Sequence, residues 1–146
     1  MKLYIINGPN LNLLGIREPD KYGNESYDML VKKIEDYCKK SGTECVFYQS
    51  NHEGDLVDKI HEAYFNGADG IVMNPGAYTH TSIALLDALL STRIPCVEVH
   101  ISKLEEREDF RQISYVRRAC VATVSGLGTD GYLQGCQILI DKKNEN

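Results

Sequence analysis

The sequence is poor in the features that mark several large functional classes. No basic tract runs along its 146 residues, and 16 lysines and arginines against 21 aspartates and glutamates leave a net charge of −5. The electrostatic footprint of a nucleic-acid binder is missing, so no nucleic-acid partner is expected. No apolar run is long enough to span a bilayer, and no signal peptide precedes the first expected strand, which points to a cytoplasmic protein without a membrane role. The five cysteines, Cys38, Cys45, Cys96, Cys120 and Cys136, include no C-x-x-C pair, so neither a zinc ribbon nor a thioredoxin-like motif is supported. Most of them lie in apolar stretches and read as small core residues of a reduced protein. No His, Cys and carboxylate cluster has metal-ligand spacing, and no Walker loop is present.

What is present is an ordinary globular composition, 42% hydrophobic and 25% charged. The length suits one domain, residues 1–146, with a polar tail "DKKNEN" from about residue 141. Short apolar runs alternate with amphipathic ones. "KLYIIN", "ECVFYQ", "GIVMN", "PCVEVH" and "ACVATVSG" read as strands. Helices are expected after Ser26, from near Asp55, over Ser82–Ser91 and over Tyr132–Lys142, with a short one in "LEEREDFRQIS". Five β-α units predict an α/β fold of three layers, α/β/α. Its doubly wound, flavodoxin-like parallel sheet has five strands in the order 2-1-3-4-5.

Open parallel sheets bind ligands beyond the carboxyl ends of their strands. Three of the four histidines, His52, His80 and His100, fall at such ends, and only His61 sits mid-helix. Asn7, Asn10, Asn12, Arg17 and Tyr22 come after the first strand, Asn74, Tyr78 and Thr79 after the third, and Ser102 and Arg111 after the fourth. This edge offers donors for an anion and hydroxyls, imidazoles for proton transfer, and a phenol near an arginine. Competing motifs fail. "GLGTDG" at Gly126–Gly131 matches G-x-G-x-x-G, but it opens the last unit, and no strand with an acidic ribose ligand can come after it. The acidic pocket of a phosphoacceptor domain and flavodoxin's hydroxyl-rich phosphate loop are replaced by "NGPN" and "NPG".

Four longer stretches then carry a resemblance. "NGPNLNLLGIREPDKYG", "QSNHEG", "NPGAYTHTSIALLDAL" and "EVHISKLEEREDFRQISY" are similar, in order and in register, to the motifs of the type II 3-dehydroquinate dehydratases, and the likeness runs from Lys2 to about Leu139. The resemblance implies anti elimination of water from 3-dehydroquinate through an enolate, giving 3-dehydroshikimate, without metal or organic cofactor. It implies Tyr22 as the base and Arg17 as the cation that favours its phenolate, since a phenol otherwise titrates near pH ~10. It implies His100 as the acid, assisted by Glu98, and Asn10 as the holder of a water against the enolate. Asn74, His80, Ile101, Ser102 and Arg111 are the implied substrate contacts, with Arg111 on the substrate carboxylate. Asp87 is implied to act from a neighbouring subunit in a homododecamer built as a tetramer of trimers.

The chain departs from the family pattern at Leu86, where arginine is common, at Lys103, where asparagine is usual, and in "VRRAC", where small or polar residues are typical. Two other classes stay open on the residues alone. One is a non-catalytic small-ligand binding module on the same fold, and the other is a nucleotide-dependent oxidoreductase using "GLGTDG".

Overall fold

A computed structural model of the chain describes residues 1–16, 20 and 24–145. Five strands, β1 Lys2–Asn7, β2 Glu44–Gln49, β3 Gly70–Asn74, β4 Cys96–His100 and β5 Ala122–Ser125, pair in parallel in the order β2-β1-β3-β4-β5. The helices are α1 Tyr27–Lys39, α2 Glu53–Phe65, α3 Ile83–Thr92 and α4 Asp130–Asn144. The order is the one expected from the β-α alternation.

Side chains alternate across each strand, and this sorts the core into two layers. Leu3 and Ile5 of β1 join Val72, Val97 and Val99 beneath α1 and α4, which contribute Leu30, Ile34, Tyr132 and Cys136. Tyr4 and Ile6 point the other way, to Leu56 and Ile60 of α2 and Leu85 and Leu89 of α3. β3 and β4 are buried along their whole length, while the edge strand β2 is only half covered. Each fully buried Leu or Ile contributes about 1.5–3 kcal/mol.

Boundaries moved where local chemistry outweighed the apolar pattern. Ser26 and Ser82 cap α1 and α3, accepting from the amides of Met29 and Leu85 at 3.1 and 2.9 Å. α2 starts at Glu53 rather than Asp55, with Glu53 and Asp55 both in its first turn, where they favour the helix dipole. α4 extends to Asn144 and takes in most of the polar tail, with Lys142 and Lys143 at its negative end. "LEEREDFRQIS" is not one helix but two 3-10 turns, Leu104–Glu106 and Asp109–Arg111. The Gln112 amide donates to the carbonyls of Leu104, Arg107 and Glu108, groups that a continuous helix would satisfy itself.

Two crossed turns shape the carboxyl edge of the sheet. Asn7 and Asn74 end neighbouring strands in register, at the point where the strand order reverses. The Gly8 amide donates to the Asn74 carbonyl at 2.8 Å, and a Cβ on Gly8 would lie 2.3 Å from the Pro75 carbonyl oxygen. Gly76, at φ +60°, meets Pro9 from the other side. The "NGP" and "NPG" turns therefore cross at backbone contact. At the opposite end of the sheet, Asp69 accepts from the Lys2 backbone amide at 2.8 Å and from Lys143 Nζ at 2.7 Å.

Candidate active site

β4 builds the centre of the site. Glu98 and His100 are two residues apart, so the pleat puts them on one face. Glu98 is completely buried. Its Oε2 meets His100 Nε2 at 2.7 Å and Ser114 Oγ at 2.7 Å, and also accepts from the Thr79 hydroxyl. Its Oε1 accepts from Thr123 Oγ1 at 3.1 Å and Arg117 Nε at 3.2 Å. Burial alone pushes this carboxyl up. The bonds from His100, Thr79 and Ser114 and the His100 charge outweigh it and hold the group down to about 2. Glu98 is therefore an acceptor at neutral pH, and His100 donates to it through Nε2–H. Nδ1 is left as the ring nitrogen that can exchange a proton with a ligand.

His100 lines a cavity of about 150 Å³ together with Asn10, Asn74, His80 and Arg111. Ile101 and Ser102 also line it. His80 Nδ1 faces the Ile113 carbonyl at 2.7 Å, and a carbonyl can only accept, so Nδ1 carries the hydrogen. Burial pulls the His80 imidazole below the usual range, with His100 and Arg111 adding to the effect. The neutral ring then keeps a lone pair on Nε2. Arg111 Nε donates to Glu108 at 2.5 Å, and its guanidinium lies 5.1 Å from the Phe110 ring centre.

Asn74 is held from two sides. Its Oδ1 accepts from the Gly76 amide at 3.1 Å, and its Nδ2 donates to Tyr132 Oη at 2.9 Å. Tyr132 donates onward to Asn7 Oδ1 at 2.5 Å. Asn10 sits at φ +71°, a left-handed conformation that asparagine tolerates better than most residues, with its amide bonded to Asn51 Oδ1 at 3.0 Å. These two asparagines reach the cavity because the crossed turns carry them there.

The "GLGTDG" stretch has a structural use. The Gly126 amide donates to the His100 carbonyl at 3.3 Å and the Gly128 amide to the Ile101 carbonyl at 3.1 Å, with both glycines at positive φ. The turn thus braces the strand end that bears the site. Beside it opens a larger hollow of about 670 Å³, lined among others by Lys33, Lys103 and Asp130. It shares Ile101, Ser102 and Arg107 with the smaller cavity but contains no imidazole, so we place the chemistry in the smaller one.

Of the residues singled out in the sequence, Asn10, Asn74, His80, His100, Ile101, Ser102 and Arg111 converge on one cavity, with Glu98 behind them. Asp87 does not join them and lies on α3 outside the cavity. Arg17 and Tyr22 lie outside the described residues. Sequence reasoning missed Arg107, whose Nη1 donates to Ser102 Oγ at 3.0 Å. It also missed Ser114 and Thr123, and it placed Thr79 at the strand end without its bond to Glu98, which these three hydroxyls surround. Hydroxyls scattered along the chain carry no local signal, whereas Arg107 stands within the "EVHISKLEEREDFRQISY" stretch, only five residues beyond Ser102.

The fold and the site define a flavodoxin-like α/β protein with a carboxylate-backed imidazole facing amides and a guanidinium at the switch point of its sheet. The chain belongs to the class II dehydroquinase family, whose model matches residues 1–140. It is 51% identical to a 3-dehydroquinate dehydratase of Carboxydothermus hydrogenoformans, covering 100% of this chain and 96% of that one. Its structure is similar to that of a type II dehydroquinase from Butyrivibrio crossotus, at 55% identity and a TM-score of 0.95, over 96% of this chain and 97% of the other. It is also similar to a type II dehydroquinase from Propionibacterium acnes, at 36% identity and a TM-score of 0.92, over 96% of each chain.

Proposed function

We propose that the protein dehydrates 3-dehydroquinate to 3-dehydroshikimate, as a hydro-lyase of the shikimate route to aromatic amino acids. The observation that carries this reading is the buried Glu98–His100 pair at the wall of a cavity that also holds Asn74, His80 and Arg111, in a chain of this family. A non-catalytic binding module has no need for a carboxylate held ionised behind an imidazole.

In this reading Tyr22, as phenolate, removes a proton alpha to the ketone, and the C–H electrons move into the enolate. Arg17 keeps the phenol ionised. Asn10 holds a water that donates to the enolate oxygen. The enolate then collapses and expels the hydroxyl, which leaves as water with a proton from His100 Nδ1. Glu98 balances the imidazolium before that transfer. Arg111 binds the carboxylate of the substrate, exchanging its contact with Glu108 for a ligand of the same charge. Asn74, His80, Ile101 and Ser102 bind the rest of the substrate through side chain or backbone. Binding an anion against a net charge of −5 is local work for these groups.

No cofactor enters this scheme. Asp87, on α3 away from the cavity, fits a group that completes the site of a neighbouring copy, and the reading includes a homododecamer, a tetramer of trimers, in the cytoplasm. The test is the enone absorbance of the product from purified protein and 3-dehydroquinate, with the solution mass of the oligomer measured alongside. Tyr22→Phe should remove most turnover, His100→Gln should lower kcat by roughly 10²–10⁴, and a chelator should change nothing. Full activity in Tyr22→Phe would rule out the assigned base.

A further inference from the structure

We propose that Arg117 is a positioning residue for the proton donor: bonded to the second oxygen of Glu98, it shares that carboxylate's charge with His100 and so sets the pH range over which His100 can donate. The inference rests on His100 as the acid of the proposed dehydration and adds a residue to that reading.

The geometry separates orientation from charge. Glu98 is already oriented by three neutral hydroxyls, from Thr79 and Ser114 on Oε2 and Thr123 on Oε1. Arg117 adds a full positive charge 3.2 Å from Oε1, on the side away from the imidazole's contact. Its backbone amide donates to Ser114 Oγ at 3.1 Å, which pins the Val116–Ala119 turn to the same cage. A carboxylate flanked by one cation stabilises a second cation less than a lone carboxylate would. Arg117 therefore makes the imidazolium a better acid than Glu98 alone would allow.

The groups facing this pair come from every neighbouring element. His80 and Thr79 come from the turn after β3, Arg107, Arg111, Ser114 and Arg117 from the segment after β4, and Thr123 from β5. Cys96 precedes Glu98 on its own strand face. Arg117 is the cation bonded to Glu98. It stands where the family resemblance leads one to expect a small or polar residue. Its side chain is 45% exposed, so solvent screens the effect and limits it to a moderate size.

The test compares the unaltered protein with Arg117→Gln and Arg117→Lys by steady-state dehydration across pH. Neither change opens a core cavity, because the side chain is half exposed. In Arg117→Gln the alkaline limb of the kcat profile should move to higher pH by about half a unit, with KM unchanged. Arg117→Lys should restore the original profile, since the contact is a single Nε bond rather than a guanidinium fork. A superimposable profile in Arg117→Gln would overturn the inference. So would an equal shift in Arg117→Lys, or a pH-independent loss of kcat, which would mark a purely structural residue. Absence of turnover in the unaltered protein would instead sink the dehydratase reading, and this inference with it.

Discussion

Tyr132 and Asn7, 125 positions apart, are joined by a 2.5 Å hydrogen bond from the phenol to the amide oxygen. Both are buried, and the same phenol accepts from Asn74. The last helix thereby fixes the two asparagines that end the neighbouring strands β1 and β3. Tyr132→Phe would leave a buried carbonyl and a buried N–H without their partner. The expected cost is about 2 kcal/mol, read as the urea midpoint, with a Tm roughly 6 °C lower. Because Asn74 loses one anchor, KM should rise more than kcat falls. An unchanged midpoint would show that water replaces the phenol at no cost.

Stability should depend on pH through Glu98. Its carboxyl is depressed from an ordinary 4.5 to about 2 in the folded protein. A depressed acid stabilises the fold above its ordinary value, and that contribution is lost as pH falls through the folded one. Between those limits the unaltered protein should lose about 3 kcal/mol from this group. Glu98→Gln should lack this part of the slope, although it is less stable at neutral pH. Urea titrations at several acidic pH values measure the difference. Parallel stability curves for the two proteins would contradict it.

The crossed turns should tolerate no side chain at Gly8. A methyl there would press on the Pro75 carbonyl at 2.3 Å, where the neighbouring atoms are backbone and nothing flexible can yield. Gly8→Ala should cost about 3 kcal/mol. Gly54, near the start of α2, has nothing within 4 Å of its ideal Cβ. Gly54→Ala should change stability by less than about 1 kcal/mol. Thermal melts of the two variants make the comparison, and equal melting temperatures would argue against the close crossing.

Much of this was legible in the amino-acid order because strand and helix periods repeat locally. "GIVMN" and "KLYIIN" announce buried strands, and the serines before α1 and α3 announce caps. Six of the residues that line the cavity, Asn10, Asn74, His80, His100, Ser102 and Arg111, could be found by looking just beyond the carboxyl ends of the strands, whereas Ile101 followed only from the family resemblance. The cage around Glu98 could not, since Thr79, Ser114 and Thr123 meet only after the sheet has formed. "LEEREDFRQIS" misled because its charges suit a helix surface, while one glutamine side chain diverted the carbonyls. Arg117 looked like an oddity of composition until its contact with a buried carboxylate was seen.

Asp69 holds both the first strand and the last helix, through the Lys2 amide and the Lys143 ammonium. Residues 1 and 144 must therefore lie within a few residues' reach of each other. A short linker between them would close the chain into a ring, and a cut at the exposed turn around Ser41 would give it new ends. Both crossed turns, the β4 strand and the Glu98 cage would stay unbroken in such a permutant. The order in which the elements are made could thus be changed while the catalytic face is left whole.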